Sequence, residues 1–111
     1  MEISVDRRGH VSVVTVSGDV DAATAPDLRQ WLDEMLKDGQ TRLVIDLSQV
    51  KFMDSSGLAT LVQVFKRVRA GNGEVRLCSL QPPVRRIFEL TRLDRAFDIF
   101  ATRDEAVTSL A

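Results

Sequence analysis

Two adjacent hydroxyls, Ser55 and Ser56, stand between Asp54 and Gly57-Leu58. They follow an apolar strand pattern, Leu43-Val44-Ile45-Asp46-Leu47, and open a helix-periodic run from Leu58 to Phe65. Free backbone N–H groups at a helix start favour negative charge. A serine there has two open roles. It can cap the helix by accepting an N–H bond, or it can carry a phosphate whose charge the helix end tolerates. Asp54 can cap as well, because a carboxylate suits a helix N-terminus. A third role, nucleophilic catalysis, needs a base to activate the serine, usually histidine. The one histidine is His10, in an opening turn, and the Gly-x-Ser-x-Gly elbow is absent. The residues point away from an enzyme.

Carboxylates form the second group with possible chemistry. Asp19, Asp21, Asp46 and Asp54 lie near strand ends, where carboxylate oxygens could hold Mg²⁺ as in a phospho-aspartate receiver. No lysine follows the later strands to complete such a site, and the helix start offers serine instead. No metal and no cofactor is expected. Asp19 and Asp21 then remain as turn residues or as contacts for a partner.

These residues need elements to position them. Ile3-Ser4-Val5 and Val11 to Val16 alternate like strands, joined by a hairpin turn at Arg8-Gly9-His10. Thr24 reads as the N-cap of a helix with Pro26 in its first turn. Leu28, Trp31, Leu32, Met35 and Leu36 place an apolar stripe on that helix, with Trp31 expected in the core. Arg42 to Leu47 reads as a buried parallel strand, and the Ser55/Ser56 helix follows and stops at Gly71-Asn72-Gly73. A strand over Val75–Cys78, a helix from Pro82-Pro83, a short strand near Phe97–Phe100 and a final helix capped by Thr102 complete the chain. Strands and helices alternate after the hairpin. That predicts an α/β fold with a four- to five-stranded, mostly parallel mixed sheet, an N-terminal antiparallel hairpin and four helices. Residues 1–111 read as a single domain. Ligands and partners of such sheets meet the carboxyl ends of the strands. The Gly18–Ala23 and Val50–Ser56 loops both fall there, which puts Asp19, Asp21 and Asp54 beside the two serines.

Composition narrows the partners. Net charge is −1, so nothing points to direct nucleic-acid binding or an anionic membrane surface. Apolar runs are strand-sized, far below the ~20 residues of a membrane helix. The N-terminus lacks the pattern of a signal peptide. A lone cysteine, Cys78, fits a reducing cytoplasm and an inert core position.

Three stretches resemble the STAS domains, and among them the bacterial anti-sigma-factor antagonists. They are Gly18-Asp19-Val20-Asp21 with Thr24, Val44-Ile45-Asp46-Leu47 leading to Phe52-Met53-Asp54-Ser55-Ser56-Gly57-Leu58, and Val84 through Leu93 before Phe97. The resemblance implies partner switching. The unmodified protein binds an anti-sigma factor that is also a serine kinase, and so frees a sigma factor. Phosphorylation ends that binding, and a metal-dependent serine phosphatase resets it. In the family the modified hydroxyl directly precedes the motif glycine, which is Ser56 here, with Ser55 as the alternative. Asp19, Asp21, Thr24, Asp54, Ser55 and Gly57 become the expected partner-binding residues. STAS domains also serve as interaction subunits of stress-signalling and lipid-transport complexes, which is the competing role. One departure stands out: Arg92 occupies a position after the third helix where many relatives carry glycine. A side chain in a left-handed helix end costs roughly 1 kcal/mol.

Overall fold

The β-branched run Val11-Ser12-Val13-Val14-Thr15-Val16-Ser17 packs side chains on both faces of a sheet, and its valines are all buried. In the computed structural model, which describes residues 1–111, this run is the second of five strands. The elements are β1 (Glu2–Arg8), β2 (Val11–Ser17), α1 (Ala25–Lys37), β3 (Arg42–Gln49), α2 (Ser55–Ala70), β4 (Glu74–Cys78), α3 (Pro82–Leu90), a 3₁₀ turn (Leu93–Arg95), β5 (Asp98–Phe100) and α4 (Arg103–Leu110). The mixed sheet with its antiparallel hairpin and the four helices match the expectation from the sequence.

Strand order follows chain order, β1-β2-β3-β4-β5. β1 and β2 run antiparallel, and every later pair is parallel. When successive parallel strands advance in one direction, right-handed crossovers deposit their helices on one face. The burial pattern agrees. Leu28 and Leu32 of α1, Leu61 and Val64 of α2, and Val84 and Phe88 of α3 share one core with Val14, Ile45 and Leu77 of the sheet. Phe97 joins it, edge-on to Phe65 at 4.9 Å and to Phe88 at 5.8 Å between ring centres.

The opposite face is covered by α4. Ala106 and Leu110 rest there on Val11, Val13, Val44 and Cys78. Polar contacts also tie that helix down: Arg42 Nη1 donates to the Leu110 carbonyl at 3.0 Å, and a buried pair sits at its start. Asp46, only 4% exposed, accepts from Arg103 Nε at 2.9 Å, while Arg103 Nη2 donates to Thr15 Oγ1 at 2.7 Å. Burial pushes the Asp46 carboxyl upward, but the Ser48 amide and Arg103 outweigh it and hold it below the ordinary carboxylate value. Burial and the Asp46 charge push the neighbouring Cys78 thiol up to about 11, so it stays protonated and inert.

Two local expectations meet the structure differently. Arg92 does adopt the left-handed conformation, at φ 61° and ψ 18°. Trp31, expected in the core, is 44% exposed. The buried line of α1 runs through Ala25, Leu28, Leu32 and Met35. One residue before Leu32, Trp31 turns toward β1, the last strand of the sheet. It lines an open hollow with Met1 and Ile3 there, and nothing lies beyond to cover it.

Candidate functional site

The two loops at the carboxyl ends of β2 and β3 are zipped together. Val20 N–H donates to the Phe52 carbonyl at 3.0 Å, and Asp54 N–H donates back to the Val20 carbonyl at 3.1 Å. Val20 and Met53 form an isolated parallel bridge, and both side chains are buried. This small extension of the sheet is a platform for the first turn of α2. Gly57 is what lets the helix sit on it. A β-carbon at that position would lie 2.7 Å from Met53 Cγ, 2.8 Å from Val20 Cγ1 and 3.0 Å from the Val20 carbonyl. Gly57 is thus a packing residue, buried beneath the turn that carries the serines.

Asp54 is the N-cap. Its Oδ1 accepts from Ser56 N–H at 2.8 Å and from Gly57 N–H at 3.3 Å. Neither serine caps the helix, because the carboxylate already holds the N–H groups they would have taken. Ser56 contributes its carbonyl to the Thr60 hydroxyl at 3.1 Å, and its own hydroxyl makes no hydrogen bond. Ser55 is exposed, and Ser56 is half-buried.

The facing loop is closed on itself. Asp21 Oδ1 accepts from the N–H groups of Ala23 at 3.0 Å and Thr24 at 3.1 Å. The Thr24 hydroxyl accepts from Asp21 N–H at 3.0 Å and donates to the Asp19 carbonyl at 2.8 Å. The expected Thr24 cap is therefore corrected. Thr24 holds the N-cap position of α1 without a side-chain cap bond, because its hydroxyl is spent tightening the turn before the helix. The Asp21 carboxylate serves that same turn. Of the expected acidic residues at this edge, only Asp19 presents its side chain to solvent. Asp46 does not join them; it faces α4.

Between α1 and α2 runs an open groove of about 330 Å³. Ala22, Ala25 and Pro26 form one wall, Ser56, Ala59 and Thr60 the other, with Arg29 and Gln63 further along. Small side chains keep it shallow. Arg29 is the one cation in the lining. Its nearest acidic partner, Asp33, stands 3.9 Å away and also pairs with Arg67 of α2. At the other side of the serines, Phe52 is 50% exposed on the loop before Asp54. Sequence reasoning assigned no role to Arg29 or Phe52. The signal for Phe52 was present, since a phenylalanine in a loop immediately before a polar motif has little core to enter.

Comparison with known proteins decides the family. The STAS domain pattern matches residues 2–106, nearly the whole chain. The chain belongs to the STAS domain family. The anti-sigma F factor antagonist of Paenibacillus polymyxa is 30% identical over 111 residues, covering 99% of this chain and 95% of that protein. The anti-sigma-B factor antagonist of Bacillus subtilis is 34% identical over 109 residues, covering 96% and 99%. In three dimensions, an anti-sigma factor antagonist from Mycobacterium paratuberculosis superposes with a TM-score of 0.89 at 37% identity, covering 97% of this chain and 92% of that one. The zipped loops, the capped α2 start and the α1–α2 groove lie together on one edge of this domain. No helix in the structure is long and apolar enough to cross a membrane.

Proposed function

We propose that this STAS domain is an anti-sigma-factor antagonist switched by phosphorylation of Ser56. The unmodified domain binds an anti-sigma factor with serine-kinase activity and thereby releases a sigma factor. ATP-dependent phosphorylation of Ser56 ends the complex, and a metal-dependent serine phosphatase restores it. The domain itself is not an enzyme, and it works in the cytoplasm with these partners.

One observation carries the reading. Asp54 takes over the capping of α2, so the Ser56 hydroxyl sits at the helix start with no structural task. A phosphate there brings about −1.5 to −2 charges at pH 7. The helix N-terminus offsets that charge by roughly 0.3–1 kcal/mol, so the fold tolerates it. In a partner interface beside Asp19 and Asp54 the same charge opposes binding. Affinity falls about tenfold for each 1.4 kcal/mol. Ser55, one residue earlier and fully outside the groove, is the alternative acceptor. Asp19 and Phe52 complete the contact surface, while Asp21, Thr24 and Gly57 shape it from beneath.

The test is incubation with a candidate anti-sigma kinase and ATP, followed by mass mapping. A single phosphate on Ser56 is expected. Ser56→Ala should keep kinase binding, and Ser56→Glu should bind poorly with an unchanged melting temperature. Phosphate only on Ser55, or none, contradicts the assignment.

A further inference from the structure

The two edges of the sheet are built differently. β5 is three residues long, too short to template another strand. β1 spans seven residues with no proline, no lysine and an unbroken register from Glu2↔Ser17 to Arg8↔Val11. Native edges are commonly blunted by proline, a bulge or short length, and β1 has none of these; its four charged residues guard it against unmatched strands and leave it open only to one of complementary charge.

The hairpin geometry says which backbone groups are open. Its turn has two residues, Gly9 and His10, with Gly9 at φ +64°. The pair closing a two-residue turn, Arg8 and Val11, exchanges hydrogen bonds. Alternation then turns the backbone of Glu2, Ser4 and Asp6 toward β2 as well. The N–H and C=O groups of Ile3, Val5 and Arg7 face outward. Beside them lies an apolar strip. Val5 is 37% exposed, Met1 38%, and Trp31 of α1 lines an open hollow with Met1 and Ile3.

We infer that β1 pairs antiparallel with β1 of a second copy of this chain, about a two-fold axis at Val5. The register follows from charge. With the axis at Val5, Glu2 stands opposite Arg8 and Ser4 opposite Asp6, each twice. Moving the axis to Ser4 opposes Glu2 to Asp6. Moving it to Asp6 opposes that carboxylate to its own copy. Like charges directly opposite are destabilising, and opposite charges are favourable. Moving the axis to Arg7 pairs Asp6 with Arg8 but sets Arg7 against its own copy, so the Val5 register alone opposes Glu2 to Arg8 without a like-charge pair, and it matches the outward-facing residues: Val5 with Val5, and Ile3 with Arg7. Arg8 already holds Asp6 at 3.3 Å and Asp104 at 3.2 Å on the α4 face, and Glu2 of the second copy adds to that exposed cluster. On the other face, Arg7 of the second copy arrives beside Ile3, within reach of the Trp31 ring. Arginine over an indole is a favourable cation–π partner. The switch edge lies at the carboxyl ends of β2 and β3, so the dimer leaves it open.

Sedimentation equilibrium from micromolar to millimolar protein tests this. The mass should rise from 12.4 kDa toward twice that value. Amide exchange of Ile3, Val5 and Arg7 should slow in step, with Ser4 and Asp6 unchanged. The emission of Trp31, the only tryptophan, should shift to the red on dilution. Val5→Pro removes an outward N–H, which an edge strand tolerates, and should hold the protein monomeric. Should that variant fail to fold, charge reversal decides. Glu2→Arg or Arg8→Glu alone should weaken the dimer about tenfold, and the double reversal should restore it. A monomer at every concentration, with fast exchange along β1, leaves the edge to another partner and overturns the proposal. So does a dimer that survives Val5→Pro, or one that the double reversal fails to recover.

Discussion

Asp46 lies within β3 and Asp54 in the loop that follows it, and the two do opposite work. Asp46 points from β3 toward α4, buried, and binds Arg103 and the Ser48 amide. Asp54 follows β3 at the switch edge and caps α2. The first carboxylate fastens a helix to the sheet. The second relieves a serine of structural duty. On the proposed reading, one residue type, placed in the strand and in the loop after it, separates what keeps the domain folded from what lets it change partners. If this separation holds, damage at Asp46 should cost stability and spare switching. Damage around Asp54 should reach switching with smaller losses of stability.

The largest effect is expected from Asp46→Ala. Removing one partner of a buried pair costs 3–5 kcal/mol when both charges are desolvated. Arg103 keeps some access to water, so about 2–3 kcal/mol is the expected loss in urea unfolding. Phosphate incorporation by the kinase, per folded molecule, should stay unchanged. A matching loss of phosphorylation would break the comparison at its stronger side.

Gly57→Ala comes next. Its new methyl meets Met53 and Val20 at distances where something must shift. Overpacking of this kind costs typically 1–3 kcal/mol, and here the yielding element is the platform beneath the serines. Both unfolding midpoint and kinase affinity should therefore fall, unlike the Asp46 case. Full kinase affinity in a destabilised Gly57→Ala protein would show that the platform does not set the serine's position.

Acid sharpens the Asp46 side further. Its carboxyl is held below the ordinary value of 3.8 by the Ser48 amide and Arg103, against burial. A depressed carboxylate adds stability above its unfolded-state value, and the contribution is lost as pH falls through the folded one. Wild type should thus lose stability below about pH 4 more steeply than Asp46→Asn. Equal acid slopes for the two proteins would show that the Asp46–Arg103 contact does not fasten α4 to the sheet.

Much of this was legible in the residues. Alternation of strand and helix signals gave the sheet, its hairpin and all four helices, because each element carries its own periodicity and its own stop. The Asp54–Leu58 stretch could be placed at a helix start for the same reason. Which of its three polar side chains caps could not be decided from types alone, since aspartate and serine compete for the same N–H groups. The Thr24 cap failed for a related reason. Asp21 and the Asp19 carbonyl, both within a few residues, claim the hydroxyl first. Trp31 fooled the helical stripe because periodicity reports a direction, not where the sheet ends. Arg29 was invisible, as its place in the groove depends on how α1 and α2 lie together.

The smallest effects belong to Asp54, and they separate its two possible roles. Asp54→Ala removes the cap and should cost about 1 kcal/mol of stability. Asp54→Ser keeps a capping oxygen without the charge, and serine caps about as well as aspartate, so unfolding should barely change. Kinase binding is then the informative measurement. If Asp54 acts only by freeing Ser56, Asp54→Ser should bind and be phosphorylated like wild type, and Asp54→Ala should turn Ser56 toward capping and slow its modification. Binding lost equally in both variants would make the carboxylate a direct contact. It would then place one residue on both sides of the division that Asp46 and Asp54 otherwise draw.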